Sequence, residues 1–391
     1  MRVAGVVCEY NPFHAGHRYH LAQTRAGGAD VIAAVMSGNF VQRGDPAMTD
    51  KWRRAAAAVR CGADLVIDLP VPWATGSARD FASGAVALLS AVGADVLSFG
   101  CETDDTAALK ALAAVKDRAD VQTGVKRLTA DGLSYPAALE QAVRTVDPRA
   151  PAELLRCPNS VLALEYLSAL ERLHISMDVM AIRRTGAAHD APKKAGGFLS
   201  AAAIRALPSL DAAKPFIPPE AFAAMFPDDG GLTDRAAFET LLLGVLRRMS
   251  AGEVAALVDD RSGLADRITD AARTACTLDE LYAAAKTKSV TMAKVKRELL
   301  HVLLGVAPGT AQQTPPYLRV LAANERGLAL LKDRRPALPV MTRHADFARA
   351  DGFTKAVYDM QCVSTDLYLL TRKQKRPCGE EQRHSVILME N

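Results

Sequence analysis

The chain has 391 residues, enough for two or three domains that each bury a core. Apolar residues make up 49% and charged residues 24%, so a wholly disordered chain is excluded. The 48 Lys and Arg against 44 Asp and Glu leave only +4, a balance that excludes neither a nucleic acid nor a phosphorylated small molecule if the basic residues cluster.

The first hundred residues alternate strand and helix. Val3–Val7 is an apolar run, followed by a loop with Pro12 and Gly16 and a helix over His17–Thr24. Asp30–Met36 predicts a second strand, and Thr49–Cys61 a helix with Asp50 near its N-cap. Asp64–Leu69 is a third strand, Ala78–Val92 a helix and Asp95–Gly100 a fourth strand. Short apolar strands between amphipathic helices predict an α/β fold, a doubly wound parallel sheet with helices on both faces. From Asp104 to Leu173 the pattern is helical, broken at Ser134–Pro136 and Cys157–Asn159, and Met177–Ile182 is a fifth strand. A helix starts in Leu199–Ala206, after Gly196-Gly197. The Pro-rich stretch Pro215–Pro227 reads as a boundary between a domain over 1–215 and a mainly helical region over 216–391. Leu232–Leu304 is helical, the chain beyond Pro308 is mixed, and Arg372–Asn391 is expected to be partly mobile. No run reaches the ~18–20 apolar residues of a membrane span, and the N-terminus lacks the pattern of a secretory signal. The 7 scattered cysteines include no C-x-x-C pair, which suits a reducing compartment, the cytoplasm by default.

The strongest local signal is Val7-Cys8-Glu9-Tyr10-Asn11-Pro12-Phe13-His14-Ala15-Gly16-His17. A strand ends, a loop turns, and H-x-G-H opens a helix. Backbone N–H groups at a helix N-terminus face an anion, and the helix dipole adds to the attraction. Gly16 has no Cβ to keep a phosphate from the backbone. Two imidazoles three residues apart suit a phosphorus centre that gains charge as pyrophosphate leaves. The other readings are two surface histidines on a turn, or a metal pair with His20. The metal pair lacks a nearby Cys or carboxylate cluster, so no metal site is expected.

The longer string GVVCEYNPFHAGHRYHL, residues 5–21, resembles the tRNA(Met) cytidine acetate ligase family of HxGH nucleotidyltransferases. Further similar segments follow in order: Met36–Ala47, Asp64–Ala74, Phe81–Val86, Phe99–Glu102, Ser134–Ala138, Pro158–Leu167, Ile182–Asp190, Ser200–Arg205, Pro316–Asn324 and Ser364–Leu370. The resemblance implies a Rossmann-like core of nucleotidyltransferase type. It implies that ATP, with Mg²⁺ as its counter-ion, and acetate form acetyl-adenylate, and that the acetyl group passes to N4 of the wobble cytidine of elongator tRNA(Met). It assigns His14 and His17 to catalysis. It assigns ATP binding to Val7–His20 as a whole (Ala15, Arg18, Tyr19 and His20 included), with Gly100, Asn159 and Arg184. Arg183-Arg184 leaves that register open by one residue. Ser200 and Arg205 match the phosphate-binding element, where Ala202 and Ala203 stand at positions that usually carry hydroxyls. Ala188 likewise precedes His189-Asp190 where the family has Tyr.

Other residues keep two readings. Glu9 either orients His14 or His17, or caps the loop. Arg43, after the second strand, faces substrate or solvent. Lys51, Arg53 and Arg54 are a solvated helix face, or an RNA-facing patch with Arg43. Basic runs at Lys193-Lys194, at Lys286, Lys288, Lys294, Lys296 and Arg297, at Lys332, Arg334 and Arg335, and at Arg372–Arg376 fit an RNA groove on a weakly basic chain. The alternatives from other classes are a non-catalytic RNA-binding protein on this fold and an adenylyltransferase for a small phosphorylated metabolite. The long basic C-terminal half speaks against the second.

Overall fold

The structure, a computed structural model, describes residues 1–184, 198–227, 231–259, 262–288 and 290–390. The Gly196-Gly197 loop, the His189-Asp190 match and Lys193-Lys194 lie outside the described residues.

Among the described residues, eight strands form one sheet. They are β1 (Val3–Cys8), β2 (Val31–Ser37), β3 (Leu65–Leu69), β4 (Val96–Cys101), β5 (Asp178–Arg183), β6 (Leu318–Ala323), β7 (Val340–Met341) and β8 (Ile387–Leu388). Their order is β5-β4-β1-β2-β3-β6-β7, with β8 also beside β6. The first five strands pair in parallel. Both faces of β1 to β4 are buried, because period-two alternation sends apolar side chains to each side, while β5, at the sheet edge, is partly exposed. Val3, Val31, Ala33 and Val35 face a core shared with helices Ala78–Ala91 and Pro158–Arg172. Ala4, Val6, Ile32 and Ala34 face a second core with helices α1 (Ala15–Ala26) and α2 (Lys51–Arg60). The fold is therefore a doubly wound, Rossmann-like α/β core. The chain runs from β1 outward through β2 and β3, then returns to place β4 on the other side of β1. That reversal is a topological switch point, and a crevice opens there at the carboxyl ends of the strands.

The C-terminal part is mainly helical. Helices Arg235–Arg248, Leu264–Thr274, Leu278–Ala285 and Met292–Leu304 enclose a third core around Leu242, Ile268, Leu281 and Leu299. Two features differ from the sequence reading. First, β6, from the C-terminal half, joins the sheet antiparallel to β3. Second, the segment after Arg372 is tied down rather than mobile: Glu381 is fully buried and β8 pairs with β6. The Pro-rich stretch holds helix Pro219–Met225, which buries Ala221 and Met225 in the core beside α2. Among the described residues no helix is long and apolar enough to cross a membrane.

The reading of Lys51 and Arg54 as a solvated or RNA-facing surface is corrected: both side chains have 0% exposure. Lys51 Nζ lies 2.5 Å from Asp68 and 2.7 Å from Glu381. Arg319 Nε lies 3.8 Å from Glu381. Two cations and two carboxylates thus balance in the interior, joining α2, β3, β6 and helix Glu380–Arg383. Gln361 donates to Asp68 at 2.8 Å and Thr365 to Glu381 at 2.8 Å. Buried charge is tolerated when paired and hydrogen-bonded, and the pairing dominates here, because Asp68 Oδ1, Glu381 Oε1 and Arg319 Nε and Nη1 have no hydrogen-bond partner among the described residues. Replacing Lys51 with Met should strand two carboxylates beside one remaining cation and cost about 3–5 kcal/mol. Urea unfolding checks this, and a loss below about 1 kcal/mol would mean that the cluster is not held together by charge.

Candidate active site

A cavity of about 560 Å³ opens at the switch point, over the ends of β1, β4 and β5. This lies within the range of small-ligand sites. Val7, Cys8, Glu9, Tyr10, Asn11, Gly16, His17, Tyr19 and His20 line it, as do Arg43, Gly100, Asn159, Arg183 and Arg184. Pro12, Phe13, His14, Ala15 and Arg18 do not. Arg18 turns outward to pair with Glu220 at 3.0 Å. Phe13 is fully buried and packs edge-on against the ring of Tyr10 and at a tilt against that of His17. Tyr10 itself sits in the left-handed region, φ 47°, which costs a non-glycine residue backbone energy and turns the chain sharply after β1. The Asn11-Pro12 peptide is cis.

The two histidines cap α1 reciprocally. His14 Nδ1 accepts the Gly16 N–H at 3.0 Å, and His17 Nδ1 accepts the His14 N–H at 3.2 Å. An Nδ1 that accepts a backbone N–H carries no proton, so each neutral ring holds its proton on Nε2. The rings stack with centroids 3.7 Å apart. His17 faces the cavity and His14 lies behind it, 3% exposed. Gly16 is required for a reason the sequence did not show: a Cβ there would stand 2.9 Å from His14 Cε1 and push the capping ring away.

Burial, with the Arg184 and Arg205 charges, pushes His14 down to about 3. Burial, His14 and Arg184 push His17 well below its ordinary value. Both rings are neutral at physiological pH and offer Nε2–H donors rather than charge. The cationic character of the site comes from arginines. Arg184 acts on all three histidines of the loop, and its Cγ lies 3.8 Å from where a Cβ on Gly100 would be. Arg205 donates to the Asn11 carbonyl from the flank.

His20 is structural as well as cavity-lining. Its Nε2 lies 3.0 Å from Ser98 Oγ, which lies 2.7 Å from Thr24 Oγ1. Thr24 donates to the His20 carbonyl at 2.9 Å. With that proton committed, Ser98 donates to Thr24 and His20 Nε2–H donates to Ser98. The closed ring of bonds pins α1 to β4. Among the described residues no group of three His, Cys, Asp or Glu side chains forms a metal cluster.

Glu9 takes the capping role. Its Oε1 accepts the Gln42 N–H at 3.0 Å and joins the loops after β1 and β2. Arg43 follows on the rim, exposed. Cys8 is a buried thiol that burial keeps protonated, so it is no nucleophile. Asn159 Nδ2 donates to Glu102 at 2.7 Å, and the Ser160 N–H and hydroxyl donate to the other carboxylate oxygen at 2.9 and 2.6 Å. Burial works to raise Glu102, but the bonds from Ser160 and Asn159 outweigh it and hold its carboxyl below the usual range. Sequence reasoning passed over Glu102 as a site residue, although it closes the FGCE string. Its acidic position after β4 and the P-N-S that opens a helix were the available signals.

Ser200 caps the short helix Ala201–Arg205 by accepting the Ala203 N–H at 3.2 Å. Ala201 and Phe198 border the cavity, and Phe198 packs near Tyr19. The basic residues farther on lie apart from the cavity. Lys286 and Lys288 are exposed near helix Leu278–Ala285. Lys294 lines a separate cleft with Arg297 and His301. Lys296 is committed: its Nζ bridges both Asp45 oxygens at 3.0 and 3.1 Å and lies over the Tyr282 ring. It therefore clamps the loop that carries Arg43.

The buried neutral histidines make stability depend on pH. His20 and His301 are also pushed down to about 4, by burial above all. Below their ordinary value of 6.5 the unfolded chain takes up protons that the folded protein refuses. Their contribution is whole above pH 6.5 and is lost as the pH falls toward the native values. Melts from about pH 7 to about pH 4 should show a falling Tm. His20→Gln, which keeps a donor toward Ser98, should flatten the dependence by up to about 1.4 kcal/mol per pH unit. An unchanged slope would mean that His20 is already protonated in the fold.

A family model described as HIGH Nucleotidyl Transferase matches residues 1–383. The tRNA(Met) cytidine acetate ligase of Acetivibrio thermocellus is 33% identical, with 100% of both chains covered. That of Syntrophotalea carbinolica is 37% identical over 88% of this chain and 85% of the relative. The crystal structure of Thermotoga maritima TmcAL bound with alpha-thio ATP superposes with a TM-score of 0.91 at 27% identity, covering both chains fully. Its apo form gives a TM-score of 0.92 at 28% identity. The H-x-G-H cap at the switch point and the full-length similarity agree: the chain belongs to the tRNA(Met) cytidine acetate ligase family of HIGH nucleotidyl transferases.

Proposed function

We propose that this chain activates acetate with ATP and transfers the acetyl group to N4 of the wobble cytidine of elongator tRNA(Met). The observation that carries the reading is the neutral His17, its proton on Nε2, at the edge of a switch-point cavity rimmed by arginines. The match over the whole length to enzymes named for this reaction supports it. An acetate oxygen attacks the α-phosphorus, the bond to the bridging oxygen breaks, and pyrophosphate leaves with the electron pair. His17 Nε2–H donates to a phosphate oxygen, while His14 holds its ring by stacking and by the reciprocal cap. Arg184 and Arg205 supply the charge that the imidazoles lack, in a setting of low dielectric where fixed donors count most. Ser200, already a helix cap, keeps its hydroxyl proton for phosphate. Gly100 leaves the end of β4 bare, so that the nucleotide can lie against the backbone. Asn159, with its amide group held by Glu102, turns its carbonyl oxygen to the nucleotide. Then N4 attacks the acetyl carbonyl carbon, the bond to AMP breaks with its electron pair staying on the AMP phosphate, and N4 gives up a proton to solvent. Products are N4-acetylcytidine and AMP.

Mg²⁺ would supply charge neutralisation on the triphosphate. With no three-ligand cluster among the described side chains, phosphate oxygens and water are its natural ligands. We infer a cytoplasmic location from the tRNA substrate. In this reading residues 1–215 supply the catalytic part, and 216–391 supply much of the RNA-binding surface, including Lys286, Lys288 and Lys294.

His17→Ala should lower acetate-dependent ATP–pyrophosphate exchange by about 10²–10³-fold, as for loss of a preorganised transition-state donor. Unchanged exchange in a folded variant overturns the assignment. Lys286→Ala with Lys288→Ala should weaken tRNA binding and flatten its salt dependence by about 0.7–0.9 in log–log slope for every phosphate no longer neutralised. ATP binding should be unaffected. Lys296→Ala should disturb both, because it frees the Asp45 loop that carries Arg43. Filter binding over a salt series, with ATP titration alongside, separates these cases.

A further inference from the structure

The cavity at the switch point is lined for anions, with one exception. Arg43, Arg156, Arg183 and Arg184 border it, and among the described lining residues Glu9 is the one carboxylate. Its Oε1 is fixed by the Gln42 N–H at 3.0 Å. Its Oε2 accepts no hydrogen bond among the described residues. The guanidinium groups nearby are turned to other work: Arg54 bonds the Glu9 carbonyl and Arg205 the Asn11 carbonyl. Glu9 is only partly buried, and Oε2 is not among the buried polar atoms left without a partner. The free oxygen therefore meets the cavity.

Triphosphate and acetate are anions that a bare carboxylate oxygen repels. An amine is what it can hold. N4 of cytidine carries two N–H bonds, and a carboxylate is the side chain that accepts from it. N4 also needs a base, because its lone pair is drawn into the ring and it must lose a proton as it is acylated. Other groups on the cavity cannot take that proton. His17 Nδ1 accepts the His14 N–H, and its Nε2 already carries a proton. Burial keeps Cys8, Tyr10 and Tyr166 protonated. His20 Nε2 is bound to Ser98, and burial weakens an imidazole as a base while it strengthens a carboxylate. For Glu9, burial pushes the carboxyl above its ordinary value, against the Gln42 bond and the fields of Arg43, Arg205 and Arg54. Cys8 and Tyr166 are the other titratable groups that feel its charge.

Resting on the proposed reaction, we propose that Glu9 is the general base of the acetyl-transfer step, with Oε2 accepting an N4–H of the target cytidine and taking its proton. The N4 lone pair forms the bond to the acetyl carbonyl carbon. The electron pair of the N–H bond stays on N4, and the C–O bond to AMP breaks with its pair on the phosphate. Glu9 then releases the proton to solvent. The Gln42 bond that makes Glu9 a loop cap also holds the carboxylate still for this task. Lys296 steadies the same loop through Asp45.

The test uses the full chain with ATP, Mg²⁺, acetate and saturating unmodified tRNA(Met). Glu9→Gln keeps an amide oxygen for the Gln42 N–H and removes the base. Single-turnover acetyl transfer should fall about 10²–10⁴-fold, and acetate-dependent ATP–pyrophosphate exchange by less than about tenfold. Hydroxylamine, which needs no base, should still trap the adenylate as acetohydroxamate. Wild-type transfer should slow as the pH drops through the raised Glu9 value and the base fills with a proton. Glu9→Gln should lose that acid limb, whereas Glu9→Asp, still a carboxylate, should keep it at a lower rate. Wild-type transfer in Glu9→Gln, or an acid limb that persists in it, would overturn the proposal. Equal falls in transfer and exchange would also overturn it, by placing Glu9 on ATP, with the adenine amine as its partner. A wild-type chain that exchanges no pyrophosphate with acetate would overturn the proposed reaction itself, and this step with it.

Discussion

The cavity end of the sheet depends on one buried guanidinium. Parallel strands that finish side by side turn their last carbonyls toward the same space, and buried carbonyls need donors. Arg54 supplies them. Its Nη1 donates to the Glu9 carbonyl at 2.5 Å and the Ser37 carbonyl at 3.1 Å, Nη2 donates to Gly38, and Nε donates to Thr49 at 3.1 Å. A fixed fork of five N–H groups suits this task, and a lysine could not reproduce it. Burial lowers the Arg54 pKa, while the fields of Asp50, Asp68 and Glu9 work against that. Once the ends of β1 and β2 are joined, the rest of the loop has little freedom. Glu9 reaches Gln42, Asn11 Oδ1 accepts the Met48 N–H at 2.7 Å, and His14 arrives at the start of α1.

That geometry divides the labour within the site. The histidines are held by their Nδ1 atoms and kept neutral, so they contribute direction. The arginines contribute charge from the ends of other elements, Arg184 from the residue after β5 and Arg205 from the end of helix Ala201–Arg205. Protonating either imidazole on Nδ1 would set an N–H against the backbone N–H that it now accepts. The cap of α1 and the protonation state of the site are therefore one constraint, and Gly16 satisfies it by leaving room for the His14 ring.

Much of this was legible from the chain. Strand–helix alternation follows from short apolar runs, and the H-x-G-H turn follows from the residues themselves. What escaped were pairings between distant positions. Lys51 and Arg54 lie on a helix that reads as basic and solvated; only the fold brings Asp68, Glu381 and the strand-end carbonyls to them. The antiparallel β6 was hidden because an isolated apolar run such as Leu318–Ala323 does not say which edge it will join. Lys296 belonged to a basic run whose pattern says nothing of Asp45, far earlier in the chain. Glu102 looked like an ordinary residue after a strand until Asn159 and Ser160 were seen to point at it. Gly16, read from the sequence as room for a phosphate, also leaves room for the His14 ring, a demand visible only in the fold.

The four-charge cluster around Lys51 has a consequence for biosynthesis. A ribosome delivers β1 to β5 and α2 well before it delivers Arg319, and Glu381 comes later still. Until then Lys51 faces Asp68 without its second partner, β3 has an open edge, and Trp52 has no His384 to cover it. The nascent N-terminal part is thus held short of its final packing while the chain is still being made. Helix Glu380–Arg383 emerges after β6 and closes this interior, so a product cut before β6 would leave the edge of β3 unpaired and one cut between β6 and Glu381 would leave two buried cations against one carboxylate, defects that cellular proteolysis can recognise.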